Sequence, residues 1–300
     1  MKEQFTEKLR LSNANKDKLQ VINGIIQDYQ KQGYKLTLRQ LYYQLVSKDI
    51  IPNNVKEYAK LSGLLVQGRM NGVVDWNAIE DRGRVAYLQY AVDDVAGAIE
   101  DSINQFKLNR MRDQDVYIEI WVEKDALSGI LKRITNKYHV RFVANKGYSS
   151  ATAMYKASKR FLYEESHGKE CHVLYFGDHD PSGLDMVRDI RERLSQFGAT
   201  VYVKQLGLTQ EQINKYNPPP NPAKVTDPRA KSYIAEFGAV SWEVDALSPT
   251  VIHELVTENV EKLIDLQKFA DILVAEDDGK EELRKFQEIA DEEGVNNDED

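Results

Sequence analysis

The stretch CHVLYFGDHDPSGLDM, residues 171–186, contains a strand pattern, a turn and the start of a helix. Its first six residues are mostly apolar and β-favouring, which is typical of a strand buried on both faces. Pro181 and Gly183 then favour a turn, and residues 182–197 have the spacing of an amphipathic helix. The stretch therefore predicts one strand-to-helix unit of a parallel sheet.

The same succession recurs on both sides of this unit. Further β-rich runs are separated by helical patterns and lie at VYIEIWV (116–122), VRFVAN (140–145) and TVYVKQ (200–205). Such alternation implies right-handed crossovers and a parallel sheet flanked by helices, so we expect an α/β fold over residues 113–275. The remainder of this region predicts an irregular proline-rich segment, one more strand and a long amphipathic helix, at 217–229, 240–247 and 248–269.

Residues 1–112 have a mainly helical pattern. Thr37 is an N-cap candidate in front of LRQLYYQLVSKD, whose apolar residues recur at helical spacing. We predict helices at 15–30, 38–49 and 55–72, a strand or wing at 73–81 and a helical connector at 85–110. Short helices followed by a β-like segment favour a winged-helix or helix-turn-helix module, which reads DNA with a helix.

The charge of the chain is unevenly distributed. The formal net charge is -8, yet residues 1–70 hold 12 Lys or Arg against 6 Asp or Glu. Residues 276–300 hold 3 Lys or Arg against 12 Asp or Glu. We expect a basic N-terminal region that can bind phosphates and an acidic, disordered tail at 276–300, although such a tail is more often a solvated terminus without function.

Cysteine usage and hydropathy indicate the compartment. Cys171 is the only cysteine, the N-terminus is polar, and no apolar run approaches the roughly 20 residues that a membrane-spanning helix needs. We therefore expect a cytoplasmic protein with no membrane association.

Acidic residues follow two of the predicted strands. Glu123 comes directly after the strand at 116–122, and Asp178 and Asp180 follow the strand at 171–176. Ligands of parallel sheets bind beyond the carboxyl ends of the strands, and an all-oxygen set of carboxylates suits Mg²⁺. A single D-x-D pair is more often a turn or a helix N-cap, so the magnesium site depends on Glu123 lying beside the pair.

The sequence resembles a known family at several places. WVEKDAL (121–127) with FGDHDPSG (176–183) resembles the Toprim domain of topoisomerases, primases and some nucleases, in the form found in the topoisomerase VI A subunit and its meiotic double-strand-break relative. LRQLYYQL (38–45) resembles the arginine and tyrosine pair of the winged-helix domain in the same proteins. Weaker likenesses lie at 145–155 and 241–249, so the resemblance touches most of residues 36–265 in order.

The resemblance implies roles for particular residues. Tyr43, or its neighbour Tyr42, would be the nucleophile that forms a phosphotyrosine link to DNA, and Arg39 would assist the tyrosine or hold phosphate. Together with Glu123 these form the expected catalytic set, and Glu123, Asp178 and Asp180 would hold Mg²⁺. An aromatic pair in a short helix is also usual in a core, and Tyr42 extends the apolar stripe of this helix.

Further residues and partners are expected on the same basis. Lys124 and Lys146, each in a loop after a strand, are candidates with Arg39 for contacting DNA phosphates, although solvated lysines are common there. Glu243 and Asp245 are candidates for a further carboxylate at the site, and a role in an edge strand fits them equally well. The resemblance implies double-stranded DNA as substrate, a homodimer in which one protomer's tyrosine meets the other's metal site, and a separate ATPase (B-type) subunit. The chain itself has no Walker A sequence.

Two other functions fit the same sequence. A Toprim nuclease would keep the metal site but use water as the nucleophile, which would leave both tyrosines structural. A non-enzymatic DNA-binding regulator would keep only the scaffold.

Overall fold

The structure is a computed structural model that describes residues 2–5, 11–80, 90–145, 147–223 and 225–295. Its helices are α1 (Asn13–Lys31), α2 (Leu38–Ser47), α3 (Val55–Met70), α4 (Val95–Gln105), α5 (Ser128–Tyr138), α6 (Ala151–Ser166), α7 (Pro181–Gln196), α8 (Gln210–Tyr216), α9 (Ala230–Phe237), α10 (Pro249–Glu261) and α11 (Leu266–Val295). Its strands are β1 (Val116–Val122), β2 (Arg141–Ala144), β3 (Glu170–Phe176), β4 (Val201–Gly207), β5 (Asn221–Pro222) and β6 (Val240–Ser241).

The first four strands form a parallel sheet in the order β2-β1-β3-β4. β1 and β3 lie in the middle, and their register places Val122 opposite Phe176. Both strands are apolar because helices cover the sheet on both faces, as parallel sheets require. The α/β class expected from the sequence is thus confirmed. Because of this register, β1 and β3 end side by side.

Two apolar layers cover the sheet. Ile118 and Ile120 of β1 belong to the core cluster that also contains buried residues of α5 and α10. Trp121 belongs to a second cluster with buried residues of α6 and α7. Because successive side chains of a strand point to opposite faces, Glu123 leaves β1 on the same side as Trp121.

A separate apolar cluster joins α1, α2 and α3. Thr37 forms a capping box with Gln40 at the start of α2, as the sequence predicted for the cap. The strand expected at 73–81 is wrong for its described residues, because Asp75 caps a short 3-10 turn at Trp76–Ala78. Only an isolated bridge between Leu36 and Ile79 has β geometry there. The winged-helix assignment and the boundary near residue 112 stay predictions.

The C-terminal elements differ from the expected ones in two places. The strand predicted at 240–247 is the two-residue β6, paired antiparallel with β5, followed by a 3-10 turn at Val244–Ala246. The single helix predicted at 248–269 is interrupted, since Asp265 Oδ1 accepts hydrogen bonds from the first backbone N–H groups of α11. None of the helices in the described ranges combines the length and apolar character needed to cross a bilayer.

The acidic segment from residue 276 to residue 295 is helical, which corrects the disorder expected for this part of the tail. Residues 296–300 lie outside the described residues. Buried Glu276 accepts hydrogen bonds from Arg110 at 3.2 and 2.7 Å, and an added Cβ at Gly279 would come within 2.6 Å of the Phe106 ring. Contacts with the segment after α4 therefore hold the beginning of the acidic part of α11.

Removing the Glu276 carboxylate is expected to destabilise the fold. Burial opposes its ionisation, but Arg110 and Lys280 lower the pKa of Glu276 to about 2. The Glu276 side chain is 2 % exposed, and Glu276→Ala leaves the Arg110 guanidinium without this buried partner. We therefore expect a loss of about 3 kcal/mol in the free energy of unfolding. Glu281→Ala, which breaks an exposed pair with Arg284 on the same helix, should cost below about 0.5 kcal/mol. Equal losses in chemical denaturation would contradict this assignment.

Candidate functional site

Glu123 and Asp178 meet where β1 and β3 end. The backbone N–H of Glu123 donates to the Phe176 carbonyl at 2.8 Å, which extends the ladder by one residue. The backbone N–H of Asp178 then donates to Glu123 Oε2 at 3.0 Å. The predicted proximity of these two acids, which are 55 residues apart in sequence, is therefore present in the fold.

The Asp178 carboxylate is buried and has two partners. Lys124 Nζ lies 2.5 Å from Asp178 Oδ2, and the backbone N–H of Val244 donates to Asp178 Oδ1 at 3.0 Å. Burial raises the pKa of Asp178, and Lys124 opposes that rise. Lys124 also lies 3.0 Å from Glu243 Oε2. Lys124 thus neutralises two carboxylates at the place where the sequence predicted a metal ion.

Glu123 can exchange a proton near neutral pH. Burial, followed by repulsion from the neighbouring Asp178 carboxylate, raises the pKa of Glu123 to about 7. Two acids with raised pKa values at the ends of adjacent strands are typical of functional sites, because neither burial nor like charge stabilises a fold. A cation bound between them would relieve the repulsion.

Asp180 has a structural role as the N-cap of α7. Its Oδ1 accepts hydrogen bonds from the backbone N–H groups of Ser182 and Gly183 at 3.0 and 2.7 Å, and from the Ser182 hydroxyl at 2.8 Å. Gly183 is required at this turn, since a Cβ there would overlap the Asp178 carbonyl oxygen. The two aspartates of the D-x-D pair therefore differ: Asp178 adjoins Glu123 at the strand ends, and Asp180 caps α7.

His179, between the two aspartates, is fixed by aromatic neighbours. Its backbone pairs with Trp242 at 2.8 and 3.0 Å, and its Nδ1 lies 3.0 Å from the Tyr233 hydroxyl. The Phe237 ring also packs against the imidazole. Burial lowers the pKa of His179, so its imidazole is neutral at physiological pH and holds the turn in place.

Arg39 connects α2 to the acidic cluster. Its Nη2 contacts Glu243 Oε2, and its Nε lies 2.8 Å from Asp245 Oδ2. The Nε–H does not point at this oxygen, so among the described residues neither carboxylate oxygen of Asp245, which is fully buried, accepts a hydrogen bond. The guanidinium also lies 5.8 Å from the centre of the Tyr43 ring. The predicted arginine and one predicted tyrosine therefore adjoin the acidic cluster of their own chain.

The hydroxyl groups of the two tyrosines have different surroundings. Tyr42 Oη donates to Asn53 Oδ1 at 3.0 Å and lies 3.2 Å from the Asn54 carbonyl oxygen. Within the part of the chain that the structure describes, Tyr43 Oη has one long hydrogen-bond contact, from Asn221 Nδ2 at 3.5 Å. Both rings are buried, so burial does not distinguish the two tyrosines. The partners of their hydroxyl groups do. Tyr42 is held as part of the core, and Tyr43 retains the less committed hydroxyl.

A pocket of about 460 Å³ adjoins these tyrosines. It lies between α2, α3 and β5, and Glu243 also lines it. The lining side chains are mainly aromatic and amide groups: Arg39, Tyr42, Tyr43, Asn53, Asn54, Val55, Tyr58, Asn221, Pro222 and Glu243. The proline-rich segment that sequence analysis left unplaced thus supplies one wall, and no sequence pattern indicated it.

The structure brings together some of the predicted site residues and not others. Glu123, Asp178, Lys124 and Arg39 belong to one connected cluster, together with Glu243 and Asp245. Lys146 lies outside the described residues. Across those that are described, no three acidic, histidine or cysteine side chains are grouped as a metal ion would require. The sequence also did not indicate the Val244 backbone N–H, which fixes Asp178.

Comparison with known proteins adds no relative. Neither the protein-family models nor the curated proteins include a match to this chain. The family resemblance therefore rests on the sequence motifs alone.

Proposed function

We propose that the protein is a Mg²⁺-dependent DNA strand-cleaving enzyme similar to the topoisomerase VI A subunit, with a Toprim-type α/β region and a winged-helix-like N-terminal region. The observation that carries the proposal is the contact of Arg39 with Glu243 and Asp245. Through it the α2 tyrosine motif and the strand-end acids, which lie far apart in sequence, adjoin in one site. A purely structural tyrosine helix would not need that contact.

The proposed reaction is transesterification at a DNA phosphodiester. Tyr43 Oη forms a bond to phosphorus, the bond from phosphorus to the leaving deoxyribose oxygen breaks, and that oxygen takes up a proton. The reverse reaction reseals the strand because the phosphotyrosine link conserves the ester. No ATP is consumed in either direction.

Three side chains support this reaction. Burial raises the pKa of Tyr43, and Arg39 acts in the opposite direction by favouring the phenolate. Glu123, with a pKa of about 7, can accept the tyrosine proton or supply one to the leaving oxygen. Lys124 can shift from Asp178 to a phosphate oxygen, because Asp178 keeps its hydrogen bond from Val244.

Glu123, Asp178 and Asp180 are the proposed magnesium ligands. Oxygen ligands suit Mg²⁺ and Glu123 lies against Asp178, but no three such side chains among the described residues are grouped for a metal ion. Binding would therefore require Lys124 to leave Asp178 and Asp180 to join the two acids. When bound, the ion would neutralise charge on the phosphate. Double-stranded DNA as substrate, a homodimer and a separate ATPase subunit belong to the same proposal, with Tyr43 acting beside the acids of its own chain rather than those of its partner.

The burial of Tyr43 favours a second candidate function. Its ring is 5 % exposed and belongs to the core of the N-terminal helices, which is the environment of a structural tyrosine. In that case water would attack phosphorus and Glu123 would act as its base, as in a Toprim nuclease. The two mechanisms differ in whether protein stays attached to the DNA end.

Supercoiled plasmid DNA tests the proposed function. With Mg²⁺, and with detergent added to stop the reaction, we expect nicked or linear DNA that enters the gel normally only after protease treatment. EDTA should prevent cleavage. Cleaved DNA that migrates identically without protease would favour the water mechanism, and uncut plasmid at every protein concentration would contradict strand cleavage by this chain alone.

A further inference from the structure

A second pocket, of about 440 Å³, adjoins the tyrosine pocket. The two pockets share Arg39 and Tyr58 in their linings and are therefore neighbours, and we call the two together the α2–α3 groove. Tyr43 lines the first pocket and Arg69 lines the second. A strand whose phosphate reaches Tyr43 can therefore continue past Arg39 towards Arg69.

Arg69 has few partners for a half-buried cation. Its Nη2 donates to the Ile79 carbonyl at 3.2 Å, and its guanidinium lies 5.5 Å from the centre of the Trp76 ring. Within the described part of the chain it forms no ion pair, and its buried Nε has no hydrogen-bond partner. Burial lowers the pKa of Arg69, and Asp75 offsets this only in part. The remaining donors of this guanidinium suit an anion.

The charge around this end of the groove limits which anion fits. Glu80 and Asp125 also line this pocket, and each has other partners. Asp125, for example, accepts a hydrogen bond from the Ser128 hydroxyl. Two carboxylates would repel a free phosphate or a nucleotide with several charges. A phosphodiester carries one charge, which a single arginine can balance.

From this geometry we infer that Arg69 binds a backbone phosphate of the same DNA strand that Tyr43 attacks, on the far side of Arg39 and Tyr58. The inference rests on the proposed function and adds a positioning residue to it. Arg69 would fix the register of the strand in the groove, since phosphate contacts position nucleic acid without reading its sequence.

Binding of a labelled oligonucleotide to the full chain in EDTA, followed over a range of salt concentrations, tests this inference. Arg69→Gln should weaken binding roughly tenfold and reduce the salt dependence by about one phosphate contact. Arg69→Lys should restore the salt dependence but only part of the affinity, because lysine lacks the planar guanidinium. Lys60→Gln is the matched control, since Lys60 lies exposed on the same helix, paired with Glu57 at 2.6 Å.

Neutral methylphosphonate linkages placed one at a time along the oligonucleotide identify the phosphate. At one position the linkage should weaken binding by wild type as much as Arg69→Gln does, and it should cause no further loss in Arg69→Gln. If Arg69 only supports the fold, each methylphosphonate linkage should weaken binding by Arg69→Gln as much as it weakens binding by wild type. If Arg69→Gln does not fold, the same comparison is made between wild type and Arg69→Lys.

The possible failures are distinguishable. Wild type that binds DNA while Arg69→Gln binds with unchanged affinity and salt dependence would overturn the role of Arg69 alone. The role of Arg69 would also be overturned if, at every position of the linkage, the affinity lost through Arg69→Gln and the affinity lost through the methylphosphonate were additive. Wild type without any affinity for DNA would overturn the proposed function, and the inference with it.

Discussion

Tyr43→Phe is expected to abolish the covalent protein–DNA complex while leaving the fold intact. The change removes one hydroxyl, whose single hydrogen-bond contact among the described residues is from Asn221 Nδ2 at 3.5 Å, so the free energy of unfolding should fall by less than about 1 kcal/mol. Loss of the nucleophile should reduce cleavage by at least roughly a thousandfold, in line with the removal of nucleophiles in other covalent enzymes. Detergent-stopped plasmid cleavage measures the activity, and thermal unfolding measures the stability.

Tyr42→Phe is the matched control because it removes the same group from the adjacent residue. The Tyr42 hydroxyl contacts Asn53 and Asn54, so this variant should lose more stability than Tyr43→Phe and still form the covalent complex. A Tyr43→Phe enzyme that cleaves at the wild-type rate and leaves free DNA ends would assign the attack to water.

Asp178→Asn is expected to reduce cleavage strongly by either mechanism. The amide removes the negative charge that raises the Glu123 pKa, pairs with Lys124 and would bind the proposed Mg²⁺, so we expect a loss of roughly a hundredfold to a thousandfold. The fold should survive, because the amide oxygen can still accept the Val244 N–H and Lys124 keeps its contact with Glu243. Initial cleavage rates over a Mg²⁺ titration measure the effect.

Asp189→Asn controls for the loss of a carboxylate on the same segment. Asp189 lies on α7 and pairs with Arg193 at 3.3 Å, away from the strand ends. It should retain full cleavage activity. Full activity in Asp178→Asn would exclude the strand-end acids from the chemistry and would support a DNA-binding protein without catalysis.

The sequence predicted the central sheet well because its strands carry their own signal. β1 and β3 are buried on both faces, so their apolar runs are continuous and end at the acids that follow them. The strand order β2-β1-β3-β4 was beyond the sequence, since it depends on which strands meet in the fold. Where few residues pair, as in β5 and β6, the local pattern suggested a longer strand than tertiary contacts support.

The acidic helix shows the opposite error. A composition rich in Asp and Glu favoured disorder at 276–295, yet Glu276 is buried against Arg110, a residue 166 positions earlier. No local pattern contains such a partner. The same limitation applies to the candidate site, where the ion pair of Lys124 with Asp178 was anticipated only as a lysine near phosphate. Asp180, by contrast, follows the local rule for an N-cap before Pro181.

The central claim is that Tyr43 and the strand-end acids form one DNA-cleaving site. Transfer of labelled DNA to the protein tests it most directly: the full chain is incubated with labelled DNA and Mg²⁺, denatured and digested, and the labelled peptide is identified by mass spectrometry. We predict a nucleotide attached to the Tyr43 phenol in wild type and no attachment in Asp178→Asn. Cleaved DNA with no labelled peptide, or a label on any other residue, would contradict this account.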